Sequence, residues 1–247
     1  MAQAHTFGFP RIGADREPSW GPLFDNVEEA KAPGHTVKPV ILGPLTYLWQ
    51  GKAKGDDFDK LDLLERLLPV YNEMLGRLAA QGVEWVQIDE PILSLDLPQA
   101  WKNAFERAYH ILQYSPLKKL VATCFSGLEA NLGLVVGLPV QGLHIDAVRA
   151  PDQLVQVLDR LPIYKILSVG LVNARDDWRC ELQPVLAQLP FARERFGDNL
   201  WVSRSSSLLH SPVDLDCEDK LDPELKSWLA FAVQQCGETA VLPDALA

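Results

Sequence analysis

Two adjacent carboxylates, Asp89 and Glu90, close the apolar run Val83-Glu84-Trp85-Val86-Gln87-Ile88, and Pro91 follows at once. A parallel β/α barrel gathers its chemistry at such strand ends. Successive strand residues face opposite sides, so one of the pair is expected to aim into a barrel mouth for polar work and the other to anchor the next loop. Pro91 offers no further ladder donor. The four cysteines, Cys124, Cys180, Cys217 and Cys236, lie far apart without CxxC spacing, and no charged and apolar leader opens the sequence. Free thiols and a cytoplasmic location are the expectation.

The elements that must position these groups recur with a strand and helix rhythm. Strands are expected at 6–9, 37–43, 84–89, 119–124, 142–146, 165–171 and 200–203, about seven in all. Between them Phe58, Leu61, Leu64, Leu67, Leu68, Tyr71, Leu75 and Leu78 repeat at helical spacing, with Pro69 as a kink or boundary and Gly82 as the stop. Further helices are expected at 100–112, 128–138, 153–161, 181–189 and 218–235. Alternation of this kind implies parallel crossovers and an α/β fold. Residues 9–37 break the rhythm, leaving room for one short helix near 23–31 among Pro18, Gly21, Pro22, Pro33 and Gly34.

At 247 residues with 47% hydrophobic content, the chain suits one sizeable barrel domain spanning 1–247, with 14–36 as an irregular, shortened connection. A formal charge of -10 argues against nucleic-acid or anionic-membrane partners. No apolar run reaches the roughly 20 residues of a membrane helix.

Several motifs, taken in order, resemble one family. They are Thr6-Phe7-Gly8-Phe9-Pro10-Arg11-Ile12-Gly13, then Lys38-Pro39-Val40-Ile41-Leu42-Gly43-Pro44-Leu45-Thr46, then Gln87-Ile88-Asp89-Glu90-Pro91, then Leu208-Leu209-His210-Ser211-Pro212. Together they resemble the amino-terminal barrel of cobalamin-independent methionine synthase, from about His5 to Leu242. That resemblance implies one of two face-to-face β/α barrels, which together move a methyl group from methyltetrahydrofolate polyglutamate to homocysteine in methionine biosynthesis. It also implies that zinc belongs to the carboxy-terminal barrel, whose linker would begin where this sequence stops. A long block carrying the family's second strand is missing between Ser19 and Trp20. The expectation is therefore a TIM-type β/α barrel, incomplete and open, with its gap between Phe9 and Val40 partly covered by 20–31.

Metal coordination matters to the family because a free thiol, with a pKa of about 8.5, is mostly protonated at neutral pH, whereas zinc supplies the thiolate. Set against the catalytic barrel's His, two Cys and Glu, the resemblance places Ala122 and Cys124 at the His-x-Cys pair, Asp146 at the Glu and Ser207 at the last Cys. One soft ligand survives. Cys124, His144, Asp146 and His210 could regroup around a metal, but strand-end polar residues filling a mouth are the commoner case. No catalytic residue, metal site or bound cofactor is expected of the chain itself.

The family's folate-tail strip corresponds to Arg16, Glu17, Pro18 and Ser19, which keeps the arginine and glutamate and loses a lysine. Weak binding of the polyglutamate tail is implied. Asp89, Cys124, Asp146 and His210 stand as a polar mouth. Thr46, Tyr47 and Trp49 cap a core or stack on a pterin, with the core the stronger reading, and Trp178 beside Arg175, Asp176, Asp177 and Arg179 forms a ligand lip or an inter-barrel contact. Three functions remain open: an inactive scaffold and folate-tail barrel, a docking or regulatory barrel that pairs with a separate catalytic barrel, and a repurposed pterin- or thiol-binding enzyme.

Overall fold

The computed structural model describes residues 11–12, 22–53, 58–187, 189–209 and 211–244. The expected strand at 6–9 lies outside them. Within the described residues, β1 (Arg11–Ile12) pairs in parallel with β3 (Lys52–Ala53). Six longer strands carry the fold: β2 (Val40–Leu42), β4 (Trp85–Asp89), β5 (Lys118–Ala122), β6 (Gly142–Asp146), β7 (Ile166–Val172) and β8 (Leu200–Arg204). All overlap the strands expected from sequence, and β6 coincides residue for residue. The result is an α/β fold short of the eight regular strands of a full barrel.

The chain divides into two compact units, Met1–Thr123 with Ala130–Gly142, and Cys124–Glu129 with Leu143–Ala247. In the first, β4 lies between β2 and β5, all parallel, with Leu42, Asp89 and Ala122 at one level. Val86 and Ile88 are fully buried while Trp85, Gln87 and Asp89 are half-buried, which is the period-2 alternation of a pleated strand.

Helices α1 (Leu23–Lys31), α2 (Pro44–Gln50), α3 (Leu64–Ala80), α4 (Gln99–Leu112) and α5 (Leu132–Gly137) complete this unit. In α3, Leu64, Leu68, Tyr71, Leu75 and Leu78 form one buried stripe, each leucine worth roughly 1.5–3 kcal/mol of burial. Pro69 sits inside the helix on its exposed side. A short 3-10 turn, Lys60–Leu63, precedes it, and Gly82 ends the segment at φ +75, a left-handed position that glycine takes without a Cβ clash. Lys119 is fully buried, and its Nζ donates to the carbonyls of Ser115 at 3.1 Å and Leu117 at 2.9 Å. Burial without a carboxylate among those partners pulls its pKa down to about 8.

In the second unit β7 lies between β6 and β8, and the β7–β8 pairing is parallel with an irregularity between Gly170 and Val172. A Cβ at Gly170 would lie 2.6 Å from the Ser205 Cα, so only glycine admits this approach of β8. Around the strands run α6 (Gln153–Arg160), α7 (Leu182–Ala187), α8 (Pro190–Phe196), α9 (Pro223–Trp228) and α10 (Ala232–Asp244).

One helix expectation is corrected. Residues 218–235 are not a single helix: Asp222 caps α9 by accepting from the Glu224 amide at 2.9 Å, and the chain then breaks where Leu229 forms an antiparallel bridge with Trp178. A tertiary backbone pairing outcompetes helix continuation there. Among the described residues, no helix is long and apolar enough to cross a membrane.

Candidate functional site

The strand-end pair Asp89 and Glu90 divides its roles as alternation requires. Glu90 points toward the helices and is fully buried. One of its oxygens accepts from the Thr46 amide at 2.8 Å and the Thr46 hydroxyl at 2.5 Å, and the other from the Leu45 amide at 3.3 Å and the Tyr109 hydroxyl at 3.2 Å. The Leu45 and Thr46 amides are orphan donors of the first turn of α2, so Glu90 does the work of a cap from 44 residues away. A Cβ at Gly43 would collide with the Glu90 carboxyl, which is why a glycine precedes this helix.

Burial raises the Glu90 pKa to about 7, against the opposing pull of its hydrogen bonds from Thr46, Leu45 and Tyr109. Burial and the nearby Glu90 charge together push the Tyr71 and Tyr109 hydroxyls well above the ordinary phenol range. Tyr71 donates to the Leu42 carbonyl at 2.7 Å, tying the end of β2 to α3.

Asp89 takes the other face. It is half-buried and accepts from Gln87 Nε2 at 2.8 Å, while its backbone carbonyl receives the Gly43 amide at 2.8 Å. Thr46 is fully buried against Glu90, and Trp49 meets Trp101 edge-on with ring centroids 4.7 Å apart. Both contacts belong to the packing around α2 and α4.

In the second unit Asp146 ends β6 fully buried. Its Oδ2 accepts from the Phe125 amide at 3.1 Å, and its Oδ1 from the Val148 amide at 3.0 Å and the Arg149 amide at 2.9 Å. All of these donors are backbone groups, so the carboxylate shapes two loops rather than facing an open position. His144, also buried, shares a 2.9 Å hydrogen bond with Ser168 through Nδ1. Cys124 is buried beside Phe125.

The structure thus brings Cys124 and Asp146 into one neighbourhood and leaves Asp89 in the first unit. Arg16, Glu17 and His210 lie outside the described residues. Among the described residues, no three His, Cys, Asp or Glu side chains gather as a metal set. With Asp146 committed to three amides, these residues do not fit a zinc site of the family's kind. All four cysteines are free; Cys180 is pushed up to about 11 by burial first and by the neighbouring Glu238 charge second.

The loop leaving β5 carries a feature that the sequence does not announce. Phe125 has φ +78 and Glu129 φ +43, left-handed conformations that bulky side chains rarely adopt and that cost on the order of 1–3 kcal/mol each. The Phe125 ring is 49% exposed, and the Arg175 guanidinium sits 5.1 Å from its centroid. Trp178, 55% exposed, joins the same unit's rim through its backbone bridge to Leu229.

Comparison with known proteins agrees with this geometry. Residues 18–196 match the family described as cobalamin-independent synthase, N-terminal domain. Among solved structures, a Listeria monocytogenes protein assigned as a vitamin-B12-independent methionine synthase is 16% identical, covering 93% of this chain and 70% of its own, with a TM-score of 0.66. A B12-independent methionine synthase from Shewanella sp. W3-18-1, solved with selenomethionine, is 17% identical at a TM-score of 0.62, and the match covers 78% of this chain and 61% of that one. At such identities the two structures speak for the fold, and the family match covers most of the sequence. The chain belongs to the cobalamin-independent synthase family, as a form of its N-terminal domain with an incomplete β/α barrel.

Proposed function

We propose that this chain is the scaffold and folate-tail half of a methyl-transfer system that makes methionine, inactive until it is joined by a separate zinc-bearing barrel. The supporting observation is the way its strand-end carboxylates are used: Glu90 and Asp146 are fully buried and occupied as loop and helix anchors. With four hydrogen bonds accepted by Glu90 and three by Asp146, these carboxylates are engaged in holding the backbone and are not presented open to a reacting atom or a metal. In this reading zinc is held by the partner barrel, and Arg16 with Glu17 offers weak binding to the polyglutamate tail of 5-methyltetrahydrofolate.

Calorimetric titration with methyltetrahydrofolate triglutamate and with homocysteine, on the chain alone and with an added carboxy-terminal barrel, tests this. The tail should bind weakly, homocysteine should not bind the lone chain, and labelled methyl transfer should require both barrels. Turnover by the isolated chain would refute the proposal. Stoichiometric zinc lost on Cys124→Ala would instead favour a repurposed thiol enzyme.

A further inference from the structure

We infer that helix α2 is a proton-gated flap: its first turn lifts from the sheet when the carboxyl beneath it, that of Glu90, gives up its proton, and water then reaches the strand ends at Leu42 and Asp89. All the groups involved belong to the first unit. The cover over the carboxyl, the build of the helix and the charges around the cluster each point to such a motion.

The turn into α2 lies directly on the carboxyl, since a Cβ at Gly43 would stand 2.1 Å from its carbon. Ile88, Leu45, Thr46 and Tyr109 around it are fully buried, so hydrating Glu90 means raising this turn. The helix is built to pivot as a piece. Its seven residues run between Gly43 and Gly51, with Pro44 stiffening the first turn. The far end is moored: Lys60 Nζ donates to the Trp49 carbonyl at 3.0 Å, and the Trp49 ring meets Trp101. At the near end the Leu45 and Thr46 amides and the Thr46 hydroxyl all donate to Glu90, while the Gly43 amide stays on the Asp89 carbonyl.

The ionisable groups of the cluster are Tyr109 from α4, Tyr71 from α3, Tyr47 within α2 and Asp89 at the end of β4, all neutral or negative. Among the described residues no lysine, arginine or histidine pairs with Glu90. A buried carboxylate without a cation is costly, and water at an opened turn relieves that cost. The closed flap accommodates the acid form, because the Thr46 and Tyr109 hydroxyls can accept as well as donate. Burial accordingly raises the Glu90 pKa to about 7, against the pull of its hydrogen bonds. Opening restores the ordinary value, so the closed state loses its advantage as pH climbs from 4.5 through about 7.

Amide hydrogen exchange of the 247-residue chain, read residue by residue at about pH 6 and about pH 8 and divided by the intrinsic base-catalysed rate, tests the flap and needs neither folate nor a second barrel. The open population seen at the Leu45, Thr46 and Tyr47 amides should rise about tenfold across that interval. The rise should be indifferent to dilute urea, the mark of a small local opening, whereas Val86 and Ile88 in β4 should exchange with the steep urea dependence of global unfolding. Glu90→Gln should abolish the rise. Tyr109→Phe, which keeps the carboxyl and removes a donor that lowers its pKa, should move the rise to higher pH, and it serves if the glutamine variant folds poorly. No rise in α2, a rise as urea-dependent as that of Val86 and Ile88, or a rise unchanged in either variant would overturn the proposal.

Discussion

Glu90, one residue past the end of β4 in the first unit, and Asp146, the last residue of β6 in the second, are both buried carboxylates, yet they secure their surroundings in different ways. Glu90 reaches between elements, joining β4 to the start of α2 and to α4 through both backbone and hydroxyl donors. Asp146 works with amides alone, two of them only two and three residues ahead and one 21 residues behind. The first arrangement couples a proton equilibrium to packing between helices. The second moulds loops and holds an exposed aromatic at the rim.

The largest test of this contrast is Gly43→Ala. Its new methyl must displace the Glu90 carboxyl from the end of α2, and a loss of about 3 kcal/mol or more is expected in urea unfolding. An equally stable variant would mean that Glu90 has room to spare.

Next comes the pH response. The folded-state pKa of Glu90, about 7, lies above the ordinary 4.5. Its contribution to stability is therefore fully present below pH 4.5, and it falls away as pH rises through about 7. A shift of that size corresponds to roughly 3 kcal/mol. Glu90→Gln should flatten the stability profile between these limits, and an unchanged slope would assign the pH response to other groups.

Asp146→Asn removes acceptor capacity from three amides and should cost about 2 kcal/mol. Hydrogen exchange should show the loss at the amides of Phe125, Val148 and Arg149 rather than in α2. The smallest expected effect is that of Thr46→Val, which deletes the hydroxyl donor but keeps the amide, at about 1 kcal/mol. It should also raise the pKa of Glu90 further, visible as a steeper decline in stability toward neutral pH.

Much of this architecture could be read in the residues. Gly142–Asp146 and Leu23–Lys31 coincide with their expected bounds because apolar runs and turn residues mark both ends. The seven residues of α2 escaped, since Pro44-Leu45-Thr46-Tyr47-Leu48-Trp49-Gln50 has little polar face and its start is capped from distant Glu90. Pro44 at the first helical position was the available hint. The division of labour between Asp89 and Glu90 followed from alternation, but which carboxylate faced the helices depended on register. Phe125 gave no signal at all, because its backbone is dictated by Asp146 and not by a local preference for left-handed φ.

The amine enclosed at the turn that leads into β5 gives this protein an internal reporter. Lys119 loses its charge near pH 8, while two carbonyls and the surrounding side chains keep reagents away. In mildly alkaline buffer it is nucleophilic but shielded, so its rate of acylation, read by peptide mass spectrometry, should count the openings of the first unit while exposed lysines such as Lys118 react at once.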